Sequence, residues 1–257
     1  MKDGLFKGTA EYYERFRVPY PAEVFRYIVA EHRLDGRGRL LDCGCGTGRV
    51  CIPLSAWFED TIAIDPEAEM LAVAARLAGQ QQARNIAFHR MTAEELSTSL
   101  APVRMATFGA SFHWTDRVSV ATRLHELIEP GGAIVILGPS GLWTGPQPWK
   151  AVVRETIRIW LGEDRYKAGG SYLAGHQECL KQTPFCALTE WSVRRCHTWM
   201  LDAVIGYLLS TSLTSRAALG ENAEGFERDL RDRLVRHAPC GRFPDEIEYT
   251  VISAKRL

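Results

Sequence analysis

The sequence predicts an α/β fold built on a doubly wound, mostly parallel sheet of seven strands. Apolar clusters of five to eight residues alternate with longer stretches of helical period, as parallel strands and crossover helices require. Five strand–helix units of this kind fit within about 100 residues, the density of a doubly wound sheet. A glycine-rich turn follows the first of them. Composition agrees: the chain is 46% hydrophobic and 24% charged, ordinary for a globular protein, and its 257 residues suffice for one large core.

Residues 1–34 read as an N-terminal helical cap, with a helix over 22–31 that Pro21 introduces. The core, 39–138, holds strands at 39–43, 61–65, 85–90, 105–110 and 133–138. Helices at 50–57, 67–78, 93–99 and 117–128 connect them. The rhythm then breaks at Pro139, Gly141, Gly145, Pro146 and Pro148, a run of turn formers that also carries Trp143 and Trp149 and reads as the lip of a site. Helical period returns over 150–161 and 172–182, alternation over 188–196, helices over 202–211 and 224–237, and a closing strand over 247–254. The segments 139–185 and 197–240 are longer than simple crossovers, so they read as lid or substrate segments within a single domain of residues 1–257. Their aromatic residues, among them Trp160, Tyr166, Tyr172, Trp199 and Tyr207, are candidates for a pocket lining.

Charge narrows the function. The 31 Lys and Arg balance 31 Asp and Glu, whereas nucleic-acid binding draws its affinity from a basic excess, so no nucleic-acid partner is expected. No run approaches the roughly 20 apolar residues of a membrane span, and Met1-Lys2-Asp3-Gly4 lacks a signal-peptide core. Seven cysteines, an odd number without metal or redox spacing, suit a reducing compartment. The expectation is a cytoplasmic protein without a metal site, its oligomeric state left open.

The strongest motif is Leu40-Leu41-Asp42-Cys43-Gly44-Cys45-Gly46-Thr47-Gly48, an apolar strand entering a Gly-x-Gly-x-Gly turn before a helix. Glycines let the backbone turn sharply and approach a ligand, and the helix start supplies free N–H groups. Arg49 stands where a dinucleotide fingerprint needs its third glycine, and Asp42 would repel a pyrophosphate. Asp65, in Ile64-Asp65-Pro66, ends the next strand, where a carboxylate can accept both hydroxyl protons of a ribose or cap the following helix.

On these residues the chain resembles the class I S-adenosylmethionine-dependent methyltransferases of the small-molecule, natural-product branch, and the resemblance implies their Rossmann-like sheet, mostly parallel with an antiparallel last strand. The resemblance implies S-adenosyl-L-methionine as cofactor, with Asp42 organising its methionine end, Asp65 holding its ribose hydroxyls, and Gly44, Cys45, Gly46, Gly48 and Pro66 among the residues that bind it. It extends to Met91-Thr92-Ala93-Glu94, where Ala93 and Glu94 would meet the adenine, and to the Pro130-Gly131-Gly132 turn before the fifth strand. In the opening segment, Tyr13 and Arg17 match an N-terminal cap that closes over the cofactor, with Arg17 able to fork onto its carboxylate.

Reaction is expected after the fourth strand, in Ser111-Phe112-His113-Trp114. The family's nucleic-acid amino methylases carry Asn/Asp-Pro-Pro-aromatic there. Phe112 is a candidate cofactor contact, and His113 a candidate general base or a packing residue, since imidazole exchanges protons near neutrality. The function so implied is methyl transfer to nitrogen or oxygen of a small molecule such as an amino sugar or antibiotic precursor. The alternatives are an NAD(P)-linked oxidoreductase and a non-catalytic cofactor-binding regulator.

Overall fold

The computed structural model describes residues 6, 8–163 and 175–257. Seven strands form one sheet: β1 (Arg39–Cys43), β2 (Asp60–Asp65), β3 (Ile86–Arg90), β4 (Val103–Gly109), β5 (Ile128–Pro139), β6 (Cys186–Met200) and β7 (Arg242–Lys255). Their spatial order is β3-β2-β1-β4-β5-β7-β6. The first five are parallel, and β7 runs antiparallel to both β5 and β6. The expected antiparallel strand is therefore the last in sequence but not at the sheet edge.

Helices α1 (Ala10–Phe16), α2 (Ala22–Glu31), α3 (Cys51–Ser55), α4 (Ala68–Gln80) and α5 (Arg117–Leu127) accompany the first five strands. They are followed by α6 (Pro148–Leu161), α7 (His176–Leu180), α8 (Leu201–Leu209), α9 (Arg216–Leu219) and α10 (Ala223–His237). Period-two alternation divides the strands between two cores. Leu40, Met105 and Val135 join one apolar cluster with residues of α2, α3, α6, α8 and α10, while Leu41, Ala106 and Ile134 join another with α5 and α7. Burial on both faces makes β1 read as a nearly continuous apolar run.

Local chemistry sets the helix ends. Asp116 accepts from the Ser119 N–H at 3.2 Å and so caps α5. Pro148 opens α6 and Gly162, at φ +78°, ends it. In α10, Phe226, Leu230 and Leu234 are buried at four-residue spacing, leaving the charged face outside.

Four expectations shift. The helix over 93–99 is instead two 3-10 turns, Ala93–Glu95 and Thr98–Leu100. Glu95 Oε2 takes the Thr92 N–H at 2.7 Å and Ser97 bonds Ser99 at 2.7 Å; such side-chain bonds compete with helix propagation, and Pro102 stops it. The helix over 50–57 contracts to α3. Strand β5 begins at Ile128, with an irregularity opposite Val103 and Met105 that absorbs Pro130-Gly131-Gly132; there a Cβ on Gly132 would lie 2.5 Å from the Arg104 carbonyl oxygen. Strands β6 and β7 form a ribbon longer than expected. Tyr166, Tyr172 and the start of the helix expected over 172–182 lie outside the described residues.

Candidate functional site

From β1 the chain crosses to β2 on one side and later returns to β4 on the other, which opens a crevice at the carboxyl ends of β1 and β4. The glycine turn forms its floor. Gly44, Gly46 and Gly48 have φ of +67°, +53° and +84°, left-handed values that glycine adopts freely. A Cβ on Gly44 would lie 2.6 Å from the Ser111 Cβ, and one on Gly48 would lie 2.6 Å from Ile52 Cδ1. A Cβ on Gly46 would meet nothing within 4 Å, so the turn faces open space there.

Two buried carboxylates brace this floor. Asp42 Oδ1 accepts from Thr107 Oγ1 at 2.7 Å, and Oδ2 accepts from the Cys51 N–H at 3.1 Å, at the start of α3. Asp65 Oδ2 accepts from the Gly46 N–H at 2.9 Å and Oδ1 from the Glu67 N–H at 2.9 Å. Burial pushes both carboxyls up to about 6 against the opposing pull of these donors.

Above the floor the cleft has two lobes. One, about 430 Å³ and open to solvent, is walled by residues including Tyr13, Arg17, Tyr20, Asp42, Cys45 and Arg49. The other, about 380 Å³, is walled by residues including Phe6, Gly46, Asp65, Met70, Ser111 and Trp114. Tyr13, Gly44, Gly109 and Ala110 belong to both. Arg49 anchors the cap above them, donating to the carbonyls of Arg17 at 2.7 Å and Tyr13 at 3.4 Å.

The structure thus gathers Tyr13, Arg17, Asp42, Gly44, Cys45, Gly46 and Asp65 on the cleft walls. The other candidates stand elsewhere. Gly48 packs against Ile52, Ala93 is buried in the core, and the Pro66 carbonyl takes the Arg90 Nε–H at 3.0 Å. Glu94 accepts from the Asp116 N–H at 3.2 Å, at the head of α5. Phe112 is fully buried, with ring centroids 4.9 Å from Phe108 and 5.2 Å from His176, so its side chain serves the core rather than the cleft. The His113 ring lies 4.6 Å from that of Trp114. Burial, reinforced by His176, Arg117 and Arg17, lowers His113 to about 3.

Among the aromatic candidates, Trp149, Trp199 and Tyr207 are buried in the core. Sequence reasoning missed Tyr20 and Met70 as wall residues, and placed Ser111 and Trp114 in the reaction loop without assigning either a role. It noted Arg49 only as a missing glycine. Ala110 holds φ +57°, a value no composition announces.

A family model for a methyltransferase domain matches residues 40–132, from β1 through the glycine turn and both carboxylates to the turn inside β5. Over this stretch the chain carries a methyltransferase domain of the class I S-adenosylmethionine-dependent kind. This methyltransferase chain is 26% identical over 175 residues to a probable S-adenosylmethionine-dependent methyltransferase of Saccharomyces cerevisiae, covering 65% of this chain and 56% of the relative. It is 27% identical over 105 residues to a tRNA/tmRNA (uracil-C(5))-methyltransferase of Sulfurovum sp., covering 40% of this chain and 28% of that protein. Its fold matches the solved structure of the YcgJ protein from Bacillus subtilis with a TM-score of 0.60 at 15% identity, over 92% of this chain and 100% of the other.

S-adenosylmethionine is the cofactor of this family, and the cleft suits it. Open space stands over Gly46, a cradle that a Cβ would fill, and a buried carboxylate borders each lobe. Among the described residues no cluster of three His, Cys, Asp or Glu is placed to hold a metal, and no helix is long and apolar enough to cross a membrane.

Proposed function

We propose that this chain transfers the methyl group of S-adenosylmethionine to a nitrogen or oxygen of a small molecule, in the chemistry of specialised metabolites such as amino sugars or antibiotics. The observation that carries this reading is the two-lobed cleft over the glycine turn, with Asp65 bordering one lobe and Asp42 and Arg17 the other. Asp65 would hold the ribose hydroxyls. Arg17 would meet the methionine carboxylate, Tyr13 would cover the join between the lobes, and Gly44, Cys45 and Gly46 would offer backbone. The segments 139–185 and 197–240 would form the lid around the acceptor.

When bound, the sulfonium supplies an already electrophilic methyl carbon, so the protein's task is to hold an acceptor in line with it at about 3 Å. A base is needed only for an acceptor that arrives protonated. His113, lowered to about 3, is neutral at pH 7 and able to accept a proton, but binds it weakly. Retained cofactor binding with lost turnover in His113→Ala supports the base, and unchanged turnover removes it.

Calorimetry with S-adenosylmethionine, S-adenosylhomocysteine and NAD(P) tests the whole reading, followed by transfer of labelled methyl to panels of small amines, phenols and acids and to bulk tRNA. Methylation within the small-molecule panels supports it. Binding of a nicotinamide cofactor alone, or labelling of RNA alone, overturns it.

A further inference from the structure

Arg17 is held from outside its own helix. Its Nε–H donates to Ser210 Oγ at 2.7 Å, Nη2 donates to the Ser210 carbonyl at 3.3 Å, and Nη1 donates to the Tyr207 hydroxyl at 3.2 Å. The guanidinium carbon lies 4.3 Å from the Tyr207 ring centroid and 4.8 Å from that of Tyr13, so the cation packs against two aromatic rings. Ser210 is fully buried and its hydroxyl donates to the Tyr207 carbonyl at 2.5 Å, which leaves its oxygen lone pairs for Arg17.

Ser210 is also the C-cap of α8. The last carbonyls of a helix carry its negative end, and a guanidinium beside them is stabilised. The two helices abut closely, since a Cβ on Gly206 of α8 would lie 2.2 Å from the Phe16 ring of α1. Arg49 holds the Arg17 backbone as well, donating to its carbonyl at 2.7 Å. The orientation of the guanidinium on the cleft wall is therefore set by a helix remote in sequence from the glycine turn.

We infer that Ser210, assisted by Tyr207, is a positioning residue for the amino-acid end of the cofactor. It fixes the Arg17 guanidinium so that a carboxylate in the first lobe is met in a defined orientation. Ser210 acts through Arg17 and is no part of the lobe's wall. The inference rests on the cofactor reading above and adds to it a residue of the 197–240 segment, which the sequence associates with the acceptor.

The test compares S-adenosylhomocysteine with 5′-methylthioadenosine, which lacks the amino-acid carboxylate, by calorimetry on the whole chain. Ser210→Ala is expected to weaken S-adenosylhomocysteine about tenfold, the effect of one hydrogen bond to a charged group, and to leave methylthioadenosine within about twofold. Ser210→Thr, which keeps the hydroxyl, restores the affinity. Tyr207→Phe gives a smaller selective loss and serves if Ser210→Ala does not fold. Unchanged S-adenosylhomocysteine affinity in a folded variant, or equal loss of both ligands, overturns the inference while the cofactor reading stands. Failure of the unmodified protein to bind either ligand overturns both.

Discussion

Substituting the glycines of the turn one at a time separates what the fold requires from what the ligand requires. Gly44→Ala places a Cβ at φ +67° and 2.6 Å from the Ser111 Cβ. The left-handed conformation costs about 1–2 kcal/mol. Ser111 must also retreat, straining the bond its Oγ donates to the Cys43 carbonyl at 2.6 Å, which adds about 1–2 kcal/mol. The total, about 3 kcal/mol, lowers Tm by about 6–12 °C in a chain of this size.

Gly46→Ala carries the conformational cost alone, because nothing lies within 4 Å of its Cβ, and should lower Tm by only about 3–6 °C. That open space belongs to the second lobe, so its methyl group would meet the cofactor; a steric cost of only about 1.4 kcal/mol is already a tenfold loss of affinity. Differential scanning fluorimetry and calorimetry with S-adenosylhomocysteine measure the two quantities on each variant. The reasoning is refuted if Gly46→Ala binds as tightly as the unmodified protein, or if the two variants lose equal stability.

Three other perturbations follow from the same geometry. Asp65 titrates near 6, and only its carboxylate accepts two hydroxyl protons, so S-adenosylhomocysteine affinity should fall as pH drops from 7.5 to 5; Asp65→Asn should bind weakly with a flattened profile in calorimetry. Thr107→Val removes one of the donors to Asp42, raising that carboxyl further above its unfolded value; the loss of about 1–3 kcal/mol seen by urea denaturation should be largest above the native pKa and shrink as pH falls towards 5. Lys150 and Asp245 form an ion pair of 2.8 Å with both side chains only 2% exposed, so Lys150→Met should cost about 3–5 kcal/mol in the same assay, and Asp245→Asn on that background should recover part of it.

The central sheet was legible because burial on both faces leaves apolar runs such as Leu40-Leu41 and Ile134-Val135-Ile136, and strand-end acids interrupt them visibly. The β6–β7 ribbon was legible only in its middle. Its outer stretch, where 197–200 pairs with 242–245, carries Arg242, Pro244 and a buried Asp245, so apolar periodicity fades before the pairing does. In the cleft, the glycine turn with Asp42 and Asp65 was readable because chemistry fixes their place at strand ends. Phe112 was misplaced because a 3-10 turn decides which way an aromatic ring points, and that turn has no strong sequence signature. Arg49 was hidden for a different reason: its partners are backbone carbonyls, which leave no complementary side chain in the sequence.

The place of β7 bears on the order in which the chain can assemble. Strands β5 and β6 are not neighbours; residues 242–255 separate them, pairing with β5 from Ala133↔Lys255 to Pro139↔Tyr249 and with β6 along almost its whole length. During synthesis β1 to β5 can associate as soon as they emerge, since each pairs with a strand already made. Strand β6 has no partner until β7 follows, and the contacts that seat it span long stretches of chain, which slows closure and leaves strand edges exposed to association. The strand pairing of the cofactor half can thus form early, and that of the β6–β7 ribbon is completed last.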